Sequence, residues 1–241
     1  MIPTFNQAEF LDRALLSLVS QTYKNFEVIV IDNMSSDNTK NIYQKYKNIL
    51  KIIFISIKNK GVIAKSRNVG INEASGEIIS FLDSDDYWKK NKLSYVNKAF
   101  KENFIDTFCH NEISLDEHGN QVNKLNYGFN SNLIYNDLLV YGNCLSTSAV
   151  SISKTFIIKN QLKFSEKVEF ITAEDYDFWL KLAKNNARFY FCDKYLGFYQ
   201  LHTNSNSTKN ILNHQNNVKN VIYNHLKKIK SKNIKEISKA R

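Results

Sequence analysis

Gly76-Glu77-Ile78-Ile79-Ser80-Phe81-Leu82-Asp83-Ser84-Asp85-Asp86 is the stretch on which the fold turns. Ile78–Leu82 is an apolar run of strand length behind a glycine, and it leads straight into three carboxylates within four positions. Such a run reads as a buried strand whose loop begins at Asp83. Working back, Val62–Ala74 reads as a helix, with Gly76 where a left-handed cap is expected. Lys51–Ile57 reads as a strand, and Ser35-Ser36-Asp37-Asn38-Thr39 offers N-caps for a helix to about Tyr46. Phe26–Ile31 is a further β-branched run ending at Asp32, and Phe10, Leu11, Ala14, Leu15, Leu18 and Val19 recur at helical spacing across Ala8–Thr22. Helix, strand, helix, strand, helix, strand predicts an α/β protein with a parallel doubly wound layer. Ligands bind such sheets beyond the carboxyl ends of the strands, where Asp32 and Asp83–Asp86 fall.

The second half is less regular. A helix is expected near Lys92–Lys101, a strand near Thr107–Asn111, short and long helices near Tyr135–Leu139 and Asp175–Asn185, and strands near Arg188–Phe191 and Leu196–Leu201. Leu115–Asn132 is polar without clear period and reads as a hairpin or a loop. From Lys209 onward nine basic residues stand against Glu236 alone. Ile211, Val218, Val221, Ile222, Leu226 and Ile229 give this tail a modest apolar face. It reads as a solvated helix or as one that docks on anionic lipid.

The 241 residues are 43% hydrophobic and 13% aromatic, enough for one sizeable core, so one domain is expected. No run of about 18 uncharged apolar residues and no cleavable leader pattern is present, so a cytoplasmic location is expected. Cys109, Cys144 and Cys192 are odd in number and never form a CxxC pair, which suggests neither a disulfide framework nor a zinc site; buried thiols are expected. A formal net charge of +10 fits nucleic acid, an anionic membrane surface or a polyanionic substrate equally.

Three carboxylates crowded after an apolar strand repel one another unless a cation relieves them. Hard oxygen ligands of this kind suit Mg²⁺ or Mn²⁺, which keep positions open for substrate phosphates. An acidic loop capping the next helix is the plainer alternative. Arg67, on a helix, suits paired bonds to a diphosphate, or is a surface arginine.

Taken together, these elements resemble the family 2 glycosyltransferases. The resemblance spans roughly Ile2 to Ser207 and is carried by Ile2-Pro3-Thr4-Phe5-Asn6, Ser20-Gln21-Thr22-Tyr23, Phe26–Asn33, Ser35–Thr39, Ala64–Gly70, Gly76–Asp86 and Ala173-Glu174-Asp175. It implies the GT-A fold, a Rossmann-like, mostly parallel sheet flanked by helices with a smaller acceptor-side region. The implied division is a catalytic domain over residues 1–207, with a nucleotide half to about 112 and an acceptor half after it, and a basic helical tail over 208–241.

Carried over residue by residue, the resemblance assigns Pro3, Thr4 and Phe5 to the loop holding base and ribose, and Asp32 to reading the base, most often uracil. Arg67 falls near the diphosphate. Asp83 and Ser84 fall on the nucleotide side, while Asp85 and the late His202 are the implied ligands of Mn²⁺ or Mg²⁺. Asp175 matches the general base of an inverting transfer, in which one group takes the acceptor proton and others hold the leaving charge. Implied partners are a nucleotide-sugar donor, UDP-hexose or UDP-N-acetylhexosamine, and a glycan or undecaprenyl-diphosphate-linked acceptor used in surface-polysaccharide synthesis. A peripheral position at the inner face of the membrane is expected, and no nucleic-acid partner, since Tyr223 is the one ring in the basic tail.

Relatives usually carry several apolar residues before Ile-Pro-Thr, whereas this chain opens at Met1-Ile2, so either the true start lies upstream or most of the first strand is missing. Asn33 replaces a frequent second acid and Gln200 a frequent basic residue. The readings of another class are a catalytically silent nucleotide-sugar binder, which requires loss of base or metal ligands, and a nucleic-acid module.

Overall fold

The computed structural model describes residues 1–129, 131, 133–202 and 210–227. Its first layer is a parallel sheet in the order β1 (Ile2–Thr4), β2 (Val28–Asp32), β3 (Ile52–Ser56), with Thr4 opposite Asp32 and Asp32 opposite Ser56. Central β2 is buried at every position, as a strand covered on both faces must be. Each of its apolar side chains contributes about 1.5–3 kcal/mol through burial. Helix α1 (Ala8–Val19) lays Leu11, Ala14, Leu15 and Leu18 on the core, followed by α2 (Thr39–Tyr46) and α3 (Ile63–Glu73).

The strand expected over 78–82 divides its bonds between two neighbours. Its ladder portion, β4 (Ile78–Ser80), runs antiparallel to β8 (Val150–Ser153). On the other side the Met1 nitrogen donates to Ser80 O at 2.7 Å and Leu82 N donates to Met1 O at 3.1 Å, the bond pattern of a parallel pair. One residue thus splices the parallel layer onto a mixed six-stranded sheet.

That sheet has the order β4, β8, β6 (Thr107–Leu115), β9 (Phe189–Gln200), β5 (Tyr87–Trp88), with β7 (Gln121–Leu125) on β6. Within it, β6 and β9 are parallel and the other pairs antiparallel. The parallel doubly wound run therefore stops at β4. Helices α4 (Lys92–Glu102), α5 (Ile134–Tyr141), α6 (Lys154–Lys159), α7 (Glu174–Lys184) and α8 (Ile211–Leu226) complete the fold.

Several boundaries differ from expectation. The two late strands are one, β9, because the register jumps from His110 opposite Cys192 to Asn111 opposite Tyr195 and the skipped residues interrupt the apolar run. The polar stretch after Leu115 turns back as β7 through a bend at Gly119, whose φ of 83° suits glycine. Gly76 does not adopt a left-handed cap; α3 ends in extended Ala74, and Ser75 N and Gly76 N both donate to Glu27 Oε1. Cys109 and Cys192 are buried, while Cys144 is half-buried.

The main core gathers Phe81, Phe164, Phe178 and Trp179, with Phe164 stacked on Phe178 at 4.0 Å between ring centroids. Val218, Val221, Ile222 and Leu226 of the tail pack against it. Most of the apolar face suggested for lipid is thus spent inside the protein, while Ile211 of that face, with Leu212 and Tyr223, is exposed. Ile229 and the rest of the tail beyond 227 lie outside the described residues. Among the described residues, no helix is long and apolar enough to cross a membrane.

Candidate active site

Strand ends gather the site. Pro3 and Thr4 are buried at the tip of β1, and Phe5 follows, 53% exposed. The Thr4 hydroxyl is buried with no partner among the described residues. Beside it the Asp32 carboxylate accepts Ser35 N at 3.1 Å and Ser56 Oγ at 3.3 Å, which fixes its plane and leaves acceptor capacity toward a ligand. Asn33 uses its side-chain oxygen to order the next loop, accepting Asn59 N at 2.8 Å.

Two contacts tie these tips to the acidic loop. Ser84 is buried and its hydroxyl donates to Gln7 Oε1, just after the Pro3–Phe5 loop. Arg13 donates to Asp85 O at 2.6 Å and to Gln200 Oε1 at 2.7 Å, and its guanidinium lies over the rings of Phe10 and Tyr87. Gln200, where a basic residue was the family's habit, is a buried spacer.

The carboxylates of the loop take different directions. Asp83 pairs with Arg67 at 2.9 Å. Asp85 meets His202 Nε2 at 2.8 Å. Asp86 turns into the core, accepting Ser148 Oγ at 2.6 Å and Gln200 N at 2.9 Å. Burial, followed by Asp85 and Glu112, pushes the Asp86 carboxyl well above its usual range. The expected crowd relieved by one cation therefore resolves into an ion pair, a carboxylate with a histidine, and a buried structural acid.

Among the described residues, no three His, Cys, Asp or Glu side chains converge on one point. The donor set still fits a divalent ion, because Asp85 and His202 supply a carboxylate and an imidazole side by side, and substrate phosphates ordinarily fill the remaining positions.

Arg67, expected near the diphosphate, is enclosed by two carboxylates. It is 3% exposed; Nη1 meets Glu174 Oε1 at 2.6 Å and Nη2 meets Asp83. Burial opposes its charge, but Asp83, Glu174 and Asp175 more than offset that, so the guanidinium stays protonated. It joins the strand-tip loop to the first turn of α7.

Asp175 stands in that turn, next to Glu174. One oxygen accepts Tyr176 N at 2.7 Å and the other Asn143 Nδ2 at 3.3 Å. Burial, then the charge of Glu174, push its carboxyl up to about 7 against the pull of Arg67. A carboxylate tuned near neutrality can accept a proton at physiological pH. Gln7, Arg13, Ser148 and Glu174 were not singled out as functional from the sequence; Arg13 carries a faint signal, a charge three residues after Phe10 beside the apolar stripe.

The family model for "Glycosyl transferase family 2" matches residues 1–152. An uncharacterized glycosyltransferase of Rickettsia felis is 30% identical over 189 residues, covering 78% of this chain and 30% of its own length. The chain spans about a third or less of the first three curated relatives. A UDP-Glc:alpha-D-GlcNAc-diphosphoundecaprenol beta-1,3-glucosyltransferase of Escherichia coli, WfgD, is 30% identical over 77% of this chain and 69% of its own. Among solved structures, Staphylococcus aureus TarS 1-349 in complex with UDP-GlcNAc superposes with a TM-score of 0.70 at 28% identity, over 85% of this chain and 58% of that one. The family model, which covers more than half of the chain, and the fold shared with TarS lead to one assignment: this chain has the GT-A fold and belongs to glycosyl transferase family 2.

Proposed function

We propose that this protein is an inverting glycosyltransferase that moves a sugar from a UDP-sugar, a hexose or N-acetylhexosamine, to a glycan or lipid-diphosphate-linked acceptor in cell-surface polysaccharide synthesis. The observation that carries it is the run Asp83–Arg67–Glu174–Asp175, which links the donor-side strand tips to a carboxyl raised to about 7. The acceptor hydroxyl oxygen attacks the anomeric carbon, Asp175 takes its proton, and the bond from that carbon to the diphosphate oxygen breaks, the electron pair leaving with the nucleoside diphosphate. Thr4, Phe5 and Asp32 orient base and ribose, and Arg67, lying over the Phe164 ring, braces Asp83 and Glu174. Asp85 and His202 would hold a divalent ion, which when bound would supply charge neutralisation for the leaving diphosphate.

A UDP-sugar is favoured by the names of the WfgD and TarS relatives, and a lipid-linked acceptor by that of WfgD. Peripheral attachment to an anionic membrane is supported by the basic sequence after residue 209 and by exposed Ile211, Leu212 and Tyr223. The test is turnover over a panel of sugar nucleotides with a lipid-linked acceptor, with and without chelator, alongside flotation with anionic vesicles at low salt. No transfer from any UDP-sugar in the presence of Mn²⁺ would remove the donor assignment.

A further inference from the structure

Thr172 lies three residues before Asp175 with φ at 71°, a left-handed conformation that a β-branched residue adopts only when its surroundings impose it. The surroundings come from α8. His214 Nδ1 and the Thr172 hydroxyl are 3.0 Å apart, Asn217 Nδ2 donates to Ile171 O at 2.7 Å, and Asn220 Nδ2 reaches Glu169 O at 3.4 Å. These side chains sit three residues apart on one helical face and satisfy groups of the segment from Glu169 to Thr172. Asn217 is 5% exposed and Ile171 is half-buried, so loss of this amide leaves a partly enclosed carbonyl without its protein donor.

Farther along, His225 anchors the same face. Its Nε2 is 3.0 Å from Asp177 Oδ1, two residues past Asp175, and its Nδ1 is 3.3 Å from Tyr135 OH on α5. Lys181 completes the ion pair with Asp177 at 2.5 Å. Asp177 and His225 are both buried, so this contact holds α8 against α7 rather than resting on its surface. The first turn of α7 has no side-chain cap of its own; its N-cap position is Ala173. Beside the Arg67–Glu174 pair and the Asn143 contact, the direction of Asp175 is therefore set by the segment before it, and α8 holds that segment.

We propose that α8 is a brace that orients the turn presenting Asp175, with Asn217 as its principal positioning residue. This rests on Asp175 being the proton acceptor. Loss of the Asn217 amide frees Ile171 O, lets Thr172 relax toward ordinary φ, and tilts the Asp175 carboxylate while the donor strand tips stay in place.

The experiment compares Asn217→Ala, Asn217→Gln, His214→Ala and Asp175→Asn in the full chain with the best donor of the panel. For Asn217→Ala, kcat is expected to fall on the order of 10–100-fold with donor KM and UDP–Mn²⁺ affinity within about twofold of wild type. His214→Ala gives a smaller loss, and Asn217→Gln recovers part of it. Thr172→Gly, which tolerates the left-handed conformation without outside support, partly rescues Asn217→Ala. A purely structural role lowers the melting temperature and the folded fraction but leaves kcat per folded molecule unchanged, and that result overturns the proposal. Should Asn217→Ala not fold, the kcat of His214→Ala decides in the same way. Full turnover by Asp175→Asn instead overturns the base assignment and the brace with it, whereas an inactive Asp175→Asn beside an unimpaired Asn217→Ala overturns the brace alone.

Discussion

Ser148 donates its hydroxyl to the buried Asp86 carboxylate at 2.6 Å, and the same oxygen accepts Asp83 N at 3.0 Å. One side chain from the segment before β8 therefore holds both ends of the acidic loop. Ser148→Ala removes the donor and leaves a buried carboxylate short of a partner. It is expected to cost about 1–3 kcal/mol, read as a lower urea midpoint at unchanged m-value.

Arg67 is enclosed by Glu174 and Asp83, with 4% of its side chain exposed. Removing the cation strands two acids in or near the core. Arg67→Ala should destabilise by about 3–5 kcal/mol, and Arg67→Lys should recover only part, since one ammonium cannot serve both carboxylates with paired geometry. A double-mutant cycle with Glu174→Gln measures the coupling; additive effects would contradict the pairing.

Asp175 gives the pH dependence. Its raised carboxyl is protonated below about 7 and useless as a base there. In the pH–rate profile, kcat/KM should rise about tenfold per pH unit up to a bend near 7 and then level. Asp175→Asn should lower turnover by about 10²–10⁴-fold while UDP binding persists. The sign for stability runs the other way: a carboxyl whose folded value is raised loses stability as pH climbs from its unfolded value to about 7. Asp175→Asn should thus be the more stable protein at pH 8, by thermal melting.

His202 and Asp85 are tested by metal. UDP with Mn²⁺ should raise the melting temperature of the wild type, and His202→Ala should lose most of the metal-dependent part while keeping the response to UDP alone. An unchanged manganese titration in His202→Ala would take the histidine out of the site.

Gly197 faces Glu112 across β6 and β9. A Cβ there would lie 2.9 Å from Glu112 Oε1 and 3.0 Å from His110 Cε1, both buried side chains with little room to retreat. Gly197→Ala should cost about 1–3 kcal/mol by overpacking. Paired with Glu112→Ala it should cost less.

The residues with chemistry were legible where local sequence places them. Asp32 and Asp83 follow apolar strands, and the chain's punctuation alone puts them at strand ends. Long-range pairing was not. Arg67 reads as a clamp or a surface charge until Glu174, 107 residues away, closes on it. Ser148 has no periodic or motif signal, because its task is a hydroxyl in the right place. Strand β7 escapes a period-two reading since four of its five residues are exposed, leaving no buried face to alternate with. Val218, Val221, Ile222 and Leu226 share a face that is legible in the spacing, but the sequence does not say whether protein or lipid covers it.

The splice at Met1 bears on how far the nucleotide can be stretched. Asp32 belongs to one leaf of the molecule and Asp85 to the other, and the backbone bonds from Met1 to Ser80 and Leu82 stitch the leaves edge to edge. In the proposed donor complex, uracil and pyrophosphate are a ruler of set length. A seam that slips by one residue would shift one end of that ruler by about 3.3 Å, the rise of a strand, which exceeds the tolerance of any hydrogen bond.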